Sequence, residues 1–182
     1  MPGTISKRRA NSFEQRSSVV RRLTLAGRTP VSDRRQVEGP EVTFELLGEL
    51  NWLAVIVGAV IYFAIGALWY SPMLLGRPWQ RSIGWDPDKT PPQMSVATYL
   101  VPMVAYLVMA IATGMIAKAI GSQGLGDGLM LGVVIGVGYA AAHTLVDATF
   151  DPNKPEPWTW FAINASYHAL GLIIVAVLVS VW

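Results

Sequence analysis

The fold is decided by Gly128-Leu129-Met130-Leu131-Gly132-Val133-Val134-Ile135-Gly136-Val137-Gly138-Tyr139-Ala140-Ala141-Ala142-His143-Thr144-Leu145-Val146-Asp147. At ~100° of rotation per residue, Gly128, Gly132, Gly136, Tyr139, His143 and Asp147 fall within one helical sector roughly 100° wide. The opposite side, with Met130, Val133, Val134 and Val137, is plain hydrocarbon. Glycines let a second helix approach closely, and ionisable groups in an apolar segment turn toward protein. The pattern therefore asks for a helical neighbour on one side and lipid on the other.

The surrounding composition agrees. The chain has 182 residues, of which 52% are hydrophobic and only 14% charged, a departure from the soluble average in the membrane direction. Nine of the 14 Lys and Arg residues precede Val42, so the net charge of +2 sums two unlike parts and implies no nucleic-acid partner. Cysteine is absent, which removes disulfides and thiolate sites. Residues 1–41 are rich in Arg, Ser and Gly without sustained apolar periodicity and read as a disordered basic tail. The alternative is that they are not translated, with Val42 as a GTG start in a bacterial gene. Neither Arg8-Arg9 nor Arg21-Arg22 is followed by the apolar region of an export signal.

Beyond the tail, residues 50–182 carry four apolar stretches, about 50–70, 96–120, 127–149 and 158–181, each long enough to cross ~30 Å of hydrocarbon as a helix. The predicted fold class is an all-α membrane protein, a four-transmembrane-helix bundle with a disordered basic N-terminal tail. Asn51, Gly58, Tyr62, Gly66 and Trp69 share one face of the first span. Tyr99, Tyr106, Ala110, Thr113, Gly114 and Ala117 share one on the second, where Pro102 introduces a kink, and Trp160, Asn164, Tyr167, His168 and Gly171 share one on the fourth. Asp127 is placed to cap the third span. Between the first two spans, Trp79 and Trp85 alternate with Arg77 and Arg81, as in a segment lying on the membrane surface. With the tail counted, basic residues favour both termini in the cytoplasm; without it the preference reverses.

The run Asn51-Trp52-Leu53-Ala54-Val55, then Gly66-Ala67-Leu68-Trp69-Tyr70-Ser71-Pro72 followed by Gly76 and Trp79, resembles the bacterial integral membrane family of unknown function designated DUF1761. The last-helix run Ile163-Asn164-Ala165-Ser166-Tyr167-His168 is similar to that family too, with Ser166 where the family pattern has glycine. The resemblance covers about residues 50–182. It implies a small four-helix protein of the bacterial inner membrane and no particular activity.

The candidate site is a polar intramembrane patch of Tyr139, His143, Asp147, Asn164 and His168, with the last two expected across a helix contact from His143. Three readings compete. These groups form interhelical hydrogen bonds that fix register, as in a structural or assembly subunit. Alternatively, the His/Asp pair titrates along a proton or small-solute path, making the protein a transport or channel-like component. The third is a membrane-embedded metal-dependent enzyme, with His143, Asp147 and His168 holding zinc or iron. No cofactor is otherwise predicted, and no nucleophile elbow or phosphate loop supports another enzyme class. Gly58, Gly66, Gly128, Gly132 and Gly136 are the packing positions, and a homo-oligomer through these glycine faces is the expected protein partner, within a lipid bilayer.

Overall fold

A computed structural model describes residues 41–89 and 95–182. The basic tail expected over 1–41 lies outside the described residues, Glu41 excepted. After a short 3-10 turn at Phe44–Gly48, helix α1 runs Trp52–Trp69, a short α2 spans Gly76–Ser82, and α3 runs Ala97–Ala119. Helix α4 extends Gly124–Phe150 and α5 Pro157–Val181. Among the described residues there is no strand. Helices α1, α3, α4 and α5 are each long and apolar enough to cross a membrane.

Local chemistry sets the ends. The Asn51 side chain accepts the Ala54 N–H at 3.2 Å and so caps α1. The helix stops at Tyr70, just before Ser71-Pro72, where proline can donate no hydrogen bond. The turn that follows needs Gly76, because a Cβ there would strike the Tyr70 carbonyl oxygen and the Ser71 backbone. Proline also opens α5, at the position where its missing N–H is an orphan anyway. The third span starts earlier than expected, at Gly124 with Gln123 as its N-cap. Asp127 therefore sits inside the first turn and accepts the Gln123 N–H from there at 3.0 Å.

Helix α5 is the centre of the bundle and packs on α1, α3 and α4. Of its span, 44% is buried, against 22–33% for the other three. Their outward faces carry Leu53, Ile56 and Val60 on α1, Val101, Val104 and Val108 on α3, and Met130, Val133 and Val137 on α4. Such apolar surface is what a helix presents to lipid.

The contact between α4 and α5 is made by glycine. A Cβ on Gly128 would lie 2.7 Å from the Val177 Cα, one on Gly132 2.5 Å from the Ile173 Cα, and one on Gly136 3.0 Å from the Ala169 Cα. Each glycine thus meets the α5 backbone at successive i, i+4 steps on both helices, the small-residue packing expected of the stripe. That neighbour is α5 of the same chain.

The inward line of α4 continues from Gly136 through Thr144 and Ala148, 6% and 3% exposed. Steps of four from Gly128 to Ala148 would drift by about 200° on a regular helix. The drift is reduced because Gly136–Ala141 is wound as a π-helix, whose wider turn holds more residues.

Candidate functional site

The wide turn redistributes the predicted polar patch. Tyr139 is 73% exposed, and the side chains of His143 and Asp147 are 79% and 48% exposed, so all three lie on the outer surface of α4. There His143 Nε2 stands 3.9 Å from Asp147 Oδ2. Asn164 and His168 of α5 instead point into the bundle. The expectation that His143 meets Asn164 or His168 is corrected: the regular 100° step used to place His143 and Asp147 does not hold through Gly136–Ala141. His143, Asp147 and His168 consequently do not converge. Among the described residues no three His, Cys, Asp or Glu side chains are grouped to hold a metal.

What surrounds Asn164 and His168 is a tyrosine cluster. Tyr62 of α1 is fully buried, and its hydroxyl shares a 2.7 Å hydrogen bond with His168 Nδ1. The Tyr62 ring fits because Gly171 presents no side chain; a Cβ there would overlap the ring. Tyr106 of α3 stacks on Tyr62 with centroids 4.2 Å apart. Tyr167 donates its hydroxyl proton to the Tyr62 carbonyl at 3.1 Å. In a helix that carbonyl is normally screened by the side chain four residues on, and here that residue is Gly66. A Cβ on Gly66 would lie 2.6 Å from the Tyr167 hydroxyl oxygen.

Toward the Tyr70 end of the bundle the polar contacts continue. Tyr70 donates to Asn164 Oδ1 at 2.7 Å, while Asn164 Nδ2 donates to the Trp160 carbonyl at 2.7 Å. Trp69 Nε1 donates to the Ile163 carbonyl at 3.1 Å. Rings follow one another from Tyr62 through Tyr167 and Tyr70 to Trp79 and Trp85, at centroid separations of 5.2–5.9 Å. The surface segment expected between the first two spans therefore caps the cluster through α2. Nearby, Lys154 is held between Asp151 at 2.5 Å and the Trp160 ring at 4.1 Å. The hydrogen bond from Lys154, with a second from the Asn153 N–H, keeps the Asp151 carboxyl below the usual carboxylate range.

The opposite end is built differently. A cleft of about 620 Å³ is lined there by Glu49, Asn51, Lys118, Ser122, Ser180 and Trp182, among others, and reaches down to Val55. Asn51 Nδ2 donates to the Trp182 carbonyl at 3.2 Å, and Ser122 and Ser180 share a 2.8 Å hydrogen bond. Between this cleft and the tyrosine cluster the interior is apolar, filled by Val55, Ala59, Ala110, Leu172 and Val175.

Tyr62, Tyr70 and Tyr106 belong to this site although the sequence did not group them with Asn164, Tyr167 and His168, which share one face of the fourth span. The signal was present: three predicted inward faces each carried a tyrosine, two of them with glycine four residues away. Periodicity places residues on faces but does not say which depths coincide.

Four apolar helices around a hydrogen-bonded aromatic interior make this an all-α protein of the multi-pass membrane type. The profile of DUF1761, a protein family of unknown function, matches residues 53–180, and the chain belongs to that family. The matched region contains the Trp69-Tyr70-Ser71-Pro72 turn, Gly76 and Trp79, which shape the Tyr70 end, while Asn51 lies just before it. No curated protein and no solved structure matches the chain.

Proposed function

We propose that the protein moves protons across a bacterial cell membrane, with His168 and Tyr62 as the mid-membrane relay. The observation that carries this is the 2.7 Å contact between His168 Nδ1 and the Tyr62 hydroxyl. His168 is the twelfth of 25 residues in α5, about 17 Å from its start, and so near the middle of the bilayer. An intramembrane ionisable residue facing the bundle interior is a functional candidate by default, and imidazole titrates nearest physiological pH. Polar groups lead from this pair toward the Tyr70 end through Tyr167, Tyr70 and Asn164. The cleft approaches from the other end and stops at Val55. Val55 and Val175, 1% and 0% exposed, then form the closed step of the path.

Purified protein in liposomes loaded with a pH-sensitive dye tests the proposal under an imposed pH gradient. Wild-type protein should collapse the gradient faster than empty vesicles, and Val175→Ala should accelerate it by thinning the closed step. His168→Gln and Tyr62→Phe should fall to the empty-vesicle rate while remaining folded. Wild-type vesicles indistinguishable from empty ones, under gradients of either direction, would reject proton movement and leave the cluster as a device for fixing helix register.

A further inference from the structure

The outer face of α4 carries a stripe that lipid cannot satisfy. Tyr139, His143, Val146, Asp147 and Phe150 follow one another at helical spacing, exposed by 73%, 79%, 53%, 48% and 79% (side-chain values for His143 and Asp147). Helix α4 has 27 residues, about 40 Å, and so overhangs a ~30 Å hydrocarbon layer by roughly 5 Å at each end if centred. Counting back from Phe150 at ~1.5 Å per residue puts Asp147 at the boundary, His143 about 5 Å inside it and the Tyr139 backbone about 11 Å inside. Among the described residues none gives the Tyr139 hydroxyl a hydrogen bond, and the 3.9 Å separation of His143 from Asp147 is too long for one. Beside the stripe, Gly138 has open space where a Cβ would be, and the exposed Ala142 adds only a methyl group. Another backbone can therefore come close.

We infer that this face binds the same face of a second copy of the chain, in a parallel dimer about a two-fold axis along the membrane normal. The choice of occupant follows from the charges. A two-fold contact is isologous, so a surface must complement itself. One turn of α4 offers an imidazole donor and a carboxylate acceptor, and across the axis His143 of each copy lies one turn, about 6 Å in depth, from Asp147 of the other. Each copy's His143 and Asp147 can then pair once with the other's, without any foreign partner. The glycine stripe of α4 takes no part, being covered by α5.

The sequence contains no cysteine, so single-cysteine variants report proximity cleanly. In native membranes treated with a copper–phenanthroline oxidant, Ala142→Cys should give a disulfide-linked dimer, while Val104→Cys on the lipid-facing side of α3 should not. Wild-type protein in nanodiscs should have the mass of two chains. Replacing His143 and Asp147 together by leucine removes two symmetry-related contacts and should weaken association by roughly eightfold. His143 is largely and Asp147 about half exposed, so the variant should melt close to the wild type, and His143→Gln with Asp147→Asn gives a milder second test. Monomeric wild-type protein, equal cross-linking at Ala142→Cys and Val104→Cys, or association unchanged in both double variants would each overturn the inference. Dimerisation is read without any flux measurement, so it stands or falls apart from proton movement.

Discussion

Two residues without side chains hold the tyrosine cluster together. Gly171 receives the Tyr62 ring, and Gly66 uncovers the carbonyl that Tyr167 binds. Magnitudes rank what each contact is worth. An interhelical hydrogen bond in a membrane averages ~0.6 kcal/mol and reaches ~1.7 at most, whereas forcing extra atoms into a packed core costs about 1–3 kcal/mol. Gly171→Ala should therefore lower the melting temperature in detergent more than Tyr62→Phe, which deletes the hydroxyl bonded to His168 but keeps the ring stacked on Tyr106. Thermal unfolding followed by tryptophan fluorescence separates them. A greater loss in Tyr62→Phe would mean that hydrogen bonding, not fit, dominates this interior.

Among the helices, α4 shows both how far the sequence was legible and where it stopped being so. Its existence and the docking of Gly128, Gly132 and Gly136 on a neighbouring helix followed from hydropathy and four-residue spacing, although the helix begins three residues before the expected 127. These depend only on an average period. The destination of His143 and Asp147 depended on the accumulated phase, and six residues of π-winding change it. Nothing in Gly136-Val137-Gly138-Tyr139-Ala140-Ala141 announces that turn, beyond two glycines that tolerate it. The inward roles of Asn164 and His168 were legible because α5 is regular from Pro157 to Val181. The wide turn also makes a prediction about the element. Deleting Gly138 should let the segment return to regular winding, and because the lost residue offsets the lost wide turn, Thr144 and Ala148 should stay on α5. Inserting one alanine after Gly138 should instead rotate residues 139–150 by about 100° and take them off it. The deletion should melt within a few degrees of wild type and the insertion far below it. Equal stability would show that the wide turn sets no register.

For the molecule as a whole, the bundle is stitched unevenly. Toward the Tyr70 end, α1 and α5 are joined by Trp69 to Ile163, Tyr70 to Asn164, Tyr167 to Tyr62 and Tyr62 to His168. Toward the Asn51 end they meet through apolar packing around Val55 and Val175, with a polar tie only at Asn51 and Trp182. Every one of the four stitches joins residues 94–106 positions apart. During synthesis α1 therefore enters the bilayer well before any of its polar partners exists. Tyr62 and Tyr70 must wait in lipid, or against the insertion machinery, until α5 emerges from the ribosome. A chain stopped after Phe150 would keep three apolar spans yet leave those hydroxyls and the glycine stripe of α4 without a counterpart. In cells it should be degraded much faster than the full chain, as a pulse-chase would record, and a comparable half-life would mean that the first three spans are self-sufficient. Helix α5 thus acts as a completion signal, marking the copies that carry it as the ones able to close.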